Sequence, residues 1–125
     1  MSETKKVLVV DDEVSLAKTV KFILEAEGFE THTVFSGEEC LKRIEEEKFD
    51  LVLLDIMMPK MTGWQVFEEI QKRQPNLKVA FLTVIKYSNA VKGKLEKEGL
   101  AACISKPFEN EDLVNRVKTI TSMQK

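Results

Sequence analysis

Two segments decide the fold of this chain: residues 7–12, VLVVDD, and residues 51–55, LVLLD. Each is a short apolar run that ends on carboxylates, which is typical of a strand buried on both faces of a parallel sheet. Two further runs have the same form, since residues 79–82 end on Thr83 and residues 101–105 end on Lys106. If these strands are parallel and adjacent, their polar ends meet at one edge of the sheet, where open α/β sheets bind ligands.

Helical patterns separate the strands from one end of the chain to the other. The predicted helices cover about residues 14–27, a segment opening at Ser36, a segment from Thr62 to Pro75, residues 88–99, and a segment from about Asn110. Ser36 and Thr62 each begin a capping box, and Gly28 ends the first helix. Residues 29–35 alternate and are more polar, as in an edge strand. This order predicts a doubly wound α/β domain with a parallel sheet covered on both faces.

The fourth helix has the weakest pattern. Only Val91 and Leu95 are convincing inward-facing residues, and Gly93 in its middle costs about 1 kcal/mol relative to alanine. We expect this helix to be the most mobile element.

Composition excludes several classes of function. The 125 residues are enough for one domain, 1–125, and the formal net charge of -2 comes from 19 basic and 21 acidic residues without a basic block. Nucleic-acid binding is therefore not expected. The N-terminus enters a short apolar run that fits neither a signal peptide nor a membrane span. Cys40 and Cys103 are expected to be buried thiols in a reducing cytoplasm.

The strand-end residues have a common chemistry. Asp11, Asp12 and Asp55 would repel each other unless cations offset them, and Lys106 supplies one positive charge. Hard oxygen ligands without a nearby histidine favour Mg²⁺, or Mn²⁺, over Zn²⁺. A carboxylate beside such a metal can attack phosphorus. Taken singly, however, an aspartate after a strand can simply cap a turn, and Thr83 can simply be a strand former.

Taken together, these residues resemble the receiver domain of two-component response regulators. The matching stretches are residues 9–13 (VVDDE), 54–63 (LDIMMPKMTG), 81–83 (FLT) and 105–108 (SKPF). The resemblance extends over essentially the whole chain. It implies a flavodoxin-like five-stranded parallel sheet in the order 2-1-3-4-5, with five helices.

The resemblance also implies a role for each polar residue. Asp55 matches the phosphoacceptor. Asp12 and Asp55 match direct Mg²⁺ ligands, Asp11 acts mainly through water, and the backbone carbonyl of Met57 completes the set. Thr83 matches the switch hydroxyl. Lys106 matches the phosphate-pairing ammonium, preceding a cis bond to proline.

Two departures from the family pattern concern the relay of the signal. Val84 stands where the family usually has a small residue, and Cys103 stands where it usually has an aromatic switch residue. We therefore expect the signal to travel through residues 83–88 and the fourth helix. Met57 and Ile85 are apolar positions beside the path of attacking water, which predicts slow self-dephosphorylation.

The implied partners are a histidine kinase or phosphotransfer protein and a downstream protein, the latter bound by the fourth helix, last strand and last helix. Ala101 and Ala102 replace acidic residues that pair across a common family dimer, so a monomer or weak dimer is expected. We expect a single receiver domain without an effector domain, which accepts phosphate but is not a turnover enzyme.

Two alternatives remain at this point. A Mg²⁺-dependent aspartyl phosphohydrolase is the first, although the adjacent pair Asp11-Asp12 lacks the usual spacing and no insertion could form a cap. A degenerate receiver that binds partners without phosphorylation is the second, and the retention of all five polar positions argues against it.

Overall fold

The computed structural model describes residues 4–122. Residues 1–3 and 123–125, which belong to the predicted domain 1–125, lie outside the described residues. Strands and helices alternate without exception in the described range. They are β1 (Lys6–Val10), α1 (Val14–Ala26), β2 (Glu30–Val34), α2 (Gly37–Glu46), β3 (Leu51–Leu54), α3 (Gly63–Arg73), β4 (Lys78–Thr83), α4 (Asn89–Lys97), β5 (Ala102–Ser105) and α5 (Asn110–Thr121).

All five strands form one parallel sheet in the order β2-β1-β3-β4-β5. The predicted flavodoxin-like order is therefore confirmed. The register aligns Val10 of β1 with Leu54 of β3, and Thr83 of β4 with Ser105 of β5. Because parallel strands in this register end at the same edge, the residues that follow each strand project from a single side of the sheet.

Two apolar cores cover the two faces of the sheet, as the continuous apolar runs predict. Alternate residues of β1 divide between them: Val7 and Val9 pack with α1 and α5, whereas Leu8 and Val10 pack with α2 and α3. All four are at most 2% exposed. A strand buried on both faces has little freedom to slip, because a shift of one residue would exchange its two faces.

The helix ends follow the predicted signals with one exception. Thr62 and Gln65 form the complete reciprocal capping box at the start of α3. At the start of α2, the Ser36 side chain accepts from the Glu39 amide, but the Glu39 carboxylate accepts from the amide of Phe35 rather than Ser36. The predicted box at Ser36 is therefore only half formed.

Helix α4 corrects a second prediction. Leu95 is buried, but Val91 is 40% exposed and does not anchor the helix. Leu95 is the only buried residue of α4, so the helix packs through its C-terminal half. Within residues 4–122, none of the helices is both long enough and apolar enough to cross a membrane.

Candidate functional site

The ends of β1 and β3 bring three carboxylates together. Asp11 and Asp12 follow β1, Asp55 follows β3, and one oxygen from each lies within 4.8 Å of the others. Asp11 and Asp55 are buried at 4% and 8% exposure, while Asp12 faces solvent. The proximity that the strand ends predict is thus confirmed, and the cluster is open to solvent on the side of Asp12.

Lys106 contributes the cation of this cluster. It follows β5, its peptide bond to Pro107 is cis, and its Nζ lies 2.7 Å from Oδ2 of Asp11 and 3.8 Å from Oδ1 of Asp55. Its side chain is 12% exposed. One ammonium therefore faces three carboxylates, which leaves the pocket with an excess of negative charge.

Asp55 is the carboxylate most affected by this environment. Burial raises the pKa of Asp55 to about 6; Lys106 lowers it, and the neighbouring charge of Asp11 raises it again. Its Oδ1 accepts a hydrogen bond of 2.9 Å from the amide of Ile56. Within the described part of the chain, Oδ2 has no hydrogen-bond donor, so this oxygen is free for an incoming group.

The start of α3 fixes the backbone of Asp55. The Gly63 amide donates to the carbonyl of Ile56 at 2.9 Å. A Cβ at Gly63 would collide with the carbonyl oxygen of Asp55, so only glycine permits this approach. The capping box that begins at Thr62 therefore lies directly against the peptide that carries the central carboxylate.

Thr83 ends β4 on the side of Lys106. It is fully buried, its carbonyl accepts the Lys106 amide at 2.8 Å, and its Oγ1 accepts the amide of Ile85 at 3.3 Å. The hydroxyl proton is not required by that hydrogen bond and can be donated elsewhere. Thr83 is therefore tied both to the lysine strand and to the loop that leads to α4.

Apolar residues surround the acidic cluster. Met57 is 62% exposed, Val84 is 59% exposed and Ile85 is half-buried. Cys103 is buried in β5, where burial raises the pKa of its thiol. Both Cys40 and Cys103 are free thiols, as predicted.

A second polar cluster lies elsewhere, on the edge strand. His32 is half-buried: Nε2 is 2.8 Å from Glu30, and Nδ1 is 3.1 Å from Arg43. The carboxylate of Glu47 binds both Arg43 and Lys6, and these partners hold the pKa of Glu47 at about 2. Since cations already neutralise both carboxylates, this cluster stabilises β2 against α2 and has no vacancy for a metal.

The family model for the response regulator receiver domain matches residues 7–118. The chain belongs to the response regulator receiver domain family. It is 38% identical over 116 residues to the transcriptional regulatory protein CpxR homolog of Haemophilus influenzae, covering 92% of this chain and 49% of that protein. The chain spans about half the length of the curated relatives it matches.

Solved receiver structures share the fold. A CheY-like receiver domain protein from Methanospirillum hungatei is 33% identical with a TM-score of 0.85, covering 95% of this chain and 94% of that one. Response regulator TrrA from Thermotoga maritima, solved in complex with Mg²⁺-BeF, is 34% identical with a TM-score of 0.81, covering 94% and 99%.

The chain is accordingly a receiver domain of two-component response regulators, a switch operated by phosphorylation. Response regulators act between histidine kinases and downstream effectors, and receiver domains bind Mg²⁺ at an acidic cluster. None of the comparisons supports the phosphohydrolase or the phosphorylation-independent alternative.

Sequence reasoning missed two relations within this site. One is that Asp11 is the nearest partner of Lys106, at 2.7 Å, whereas the sequence predicts only that Lys106 offsets the three carboxylates. The other is a contact between Trp64 and Tyr87 beside the Thr83 loop. Both depend on the three-dimensional placement of segments that are distant in sequence, and no pattern in the sequence indicates either contact.

Asp55→Asn should stabilise the metal-free protein at neutral pH, with an effect that grows with pH. Because the pKa of Asp55 is about 6 when folded and about 3.9 when unfolded, the wild type loses stability as pH rises from about 4 to above 6. The variant lacks this loss. Urea unfolding in EDTA should show a gain on the order of 1 kcal/mol at pH 7.5, since solvent screens part of the effect.

The same measurement at pH 4 should show a much smaller gain from Asp55→Asn. Glu68→Gln, at an exposed position on α3, serves as the control and should change stability little at either pH. An equal gain at both pH values would contradict the argument that the Asp55 charge is destabilising.

Proposed function

We propose that Asp55 accepts a phosphoryl group from a histidine kinase or phosphotransfer protein, with Mg²⁺ held by the surrounding carboxylates. The observation that carries this proposal is the free Oδ2 of Asp55, in a cluster where three carboxylates meet one ammonium. Family membership supports it, since the four matching stretches supply all of these residues.

The donor set fits Mg²⁺. Its members are hard carboxylate oxygens within 4.8 Å of one another, and the group contains neither histidine nor cysteine. We assign Asp12 and Asp55 as direct ligands, the Met57 carbonyl as a third, and Asp11 as a partner acting through water. When bound, Mg²⁺ would neutralise charge on the phosphoryl oxygens and on the carboxylates.

The side chains have distinct roles in the transfer. Oδ2 of Asp55 attacks phosphorus, and the bond from phosphorus to the donor nitrogen breaks. Lys106 pairs with a phosphoryl oxygen. Its Nζ is close enough to do so, since it lies 3.8 Å from Oδ1 of Asp55. The Thr83 hydroxyl donates to another phosphoryl oxygen. The hydrogen bond between Oδ1 and the Ile56 amide keeps the carboxylate oriented so that Oδ2 faces outward.

The acyl phosphate would then persist, because the approach for water is apolar. Met57 lies two residues after Asp55, and Ile85 lies two residues after Thr83. Neither apolar side chain can orient or deprotonate a water molecule. Slow self-dephosphorylation suits a switch that must outlast its contact with the kinase.

We assign the downstream contact to the face formed by α4, β5 and α5. The Thr83 loop leads directly into α4, and Lys106 follows β5, so both elements adjoin the phosphorylated residue. Ala101 and Ala102 lack the charge for acidic dimer pairing, which favours a monomer or weak dimer. Reduced Cys40 and Cys103 fit a cytoplasmic site of action.

Incubation with acetyl phosphate and Mg²⁺ should add one phosphoryl group that is stable in acid and labile in base. Intact-mass spectrometry should detect this adduct in the wild type and in the exposed-site control Asp112→Asn, and not in Asp55→Asn. EDTA should abolish it in every variant. An adduct that survives in Asp55→Asn would place the acceptor elsewhere, and no adduct in the wild type would support the phosphorylation-independent alternative.

Polar substitution beside the acceptor should shorten the lifetime of the phosphorylated form. Met57→Asn combined with Ile85→Gln should speed phosphate loss on the order of tenfold, below the 10²–10⁴ range of a full general base. Decay of the purified phosphoprotein, followed by mass spectrometry, measures this rate. Met57→Leu with Ile85→Val is the apolar control and should leave the rate near that of the wild type. A lifetime unchanged or lengthened by the polar pair would refute the shielding role.

A further inference from the structure

The single tryptophan and single tyrosine of this chain contact each other beside the functional site. The rings of Trp64 and Tyr87 meet edge to face, with centroids 6.0 Å apart and planes at 76°. Trp64 also meets Phe81 of β4 edge to face at 5.1 Å. Such pairs add favourable energy beyond the apolar area that they bury. This contact joins the loop after Thr83 to the start of α3.

Trp64 belongs to the rigid side of this contact. It follows Gly63, which packs against the Asp55 carbonyl, and it lies inside the capping box formed by Thr62 and Gln65. Its other aromatic neighbour, Phe81, is fully buried in a central strand. The indole is therefore held in position relative to the carboxylate that we propose as phosphoacceptor.

Tyr87 belongs to the weakly anchored side. We define the α4 segment as residues 84–99, which comprise the loop after Thr83, helix α4 and its C-terminal turn. Leu95 is the only buried residue of the helix, and Ile85 and Tyr87 are only half-buried. At the far end, the side-chain amide of Gln71 on α3 donates to the carbonyl of Glu98. Helix α3 therefore holds the segment at both ends.

Thr83 connects the near end of the segment to the site. Its Oγ1 accepts the amide of Ile85 at 3.3 Å, two residues before Tyr87. If donation to a phosphoryl oxygen draws Oγ1 of Thr83 towards the phosphoryl group, the amide of Ile85 must follow this acceptor or lose its partner. Either response displaces the backbone that carries Tyr87.

We propose that the Trp64–Tyr87 contact is a latch that holds the α4 segment in its unphosphorylated position. Engagement of Thr83 by the phosphoryl group releases the latch, while the Gln71–Glu98 end remains attached and acts as a hinge. This inference rests on the proposed phosphorylation of Asp55. The signal is then relayed by an aromatic ring on the loop between β4 and α4, because Cys103 replaces the aromatic switch residue that the family usually has in β5.

Linkage gives the expected effect. The latch stabilises only the unphosphorylated state, so it opposes any ligand that binds preferentially to the phosphorylated state. Removing the latch should therefore strengthen the binding of a phosphoryl mimic. From the typical strength of an edge-to-face pair, Tyr87→Ala should bind beryllofluoride with Mg²⁺ about threefold to tenfold more tightly than the wild type. Tyr87→Phe keeps the ring and should stay within about twofold of the wild type.

The experiment uses the full chain. Beryllofluoride is titrated in the presence of Mg²⁺ and binding is followed by fluorine NMR, with Gln71→Ala as a matched variant that cuts the other attachment to α3. Gln71→Ala should stay within about twofold of wild-type affinity, because a hinge is attached in both states. In the wild type, NMR contacts between the Trp64 and Tyr87 rings should disappear on saturation, a readout independent of how the variants fold.

Four results would overturn the proposal. Ring contacts that persist at saturation, or Tyr87→Ala binding as the wild type or more weakly, would show that the latch does not oppose activation. An equal gain in Gln71→Ala would mean that general loosening of the segment, rather than the aromatic contact, controls binding. Failure of the wild type to bind beryllofluoride at all would overturn the proposed phosphorylation site as well, and so distinguishes the two.

Discussion

The repulsion among three carboxylates at one edge of a parallel sheet is the constraint on which the rest of this structure depends. Asp11, Asp12 and Asp55 are brought together by strands of fixed register, and among residues 4–122 Lys106 is the one cation that pairs with members of this group, Asp11 and Asp55. Burial without full neutralisation raises the pKa of Asp55. The fold thus stabilises a site that is unfavourable by itself, and we propose that a divalent cation relieves the conflict.

The apolar structure accounts for how this conflict is tolerated. Two cores enclose the sheet, so the central strands have buried side chains on both faces and their register is fixed. Gly63 brings α3 against the Asp55 backbone, which positions the carboxylate without using either of its oxygens. Residues 84–99 are packed much less tightly, since Leu95 alone anchors their helix. Close packing is concentrated around the proposed acceptor Asp55, and mobility is expected in residues 84–99, through which we propose that the signal leaves.

The sequence was sufficient for the features set by short-range pattern. Continuous apolar runs gave the buried strands, and the residues at their ends gave the acidic cluster and its lysine. Prediction failed where tertiary placement decides: Val91 has helical spacing with Leu95 but is exposed, because α4 packs only through its C-terminal half. Glu39 binds the Phe35 amide because the turn entering α2 presents that donor. The Trp64–Tyr87 contact joins the first turn of α3 to the loop before α4, and no local pattern encodes the relative position of these two segments.

The most direct test of this account is the Mg²⁺ affinity of the unphosphorylated protein as a function of pH, measured by isothermal titration calorimetry. Protons and Mg²⁺ should compete for Asp55, since the metal binds the ionised carboxylate. With a pKa of about 6, affinity should be nearly constant above pH 7 and fall by up to about tenfold per pH unit below 6. Affinity that stays constant from pH 5 to 7.5, or no binding at millimolar Mg²⁺, would contradict the claim that the excess charge of this cluster binds the metal.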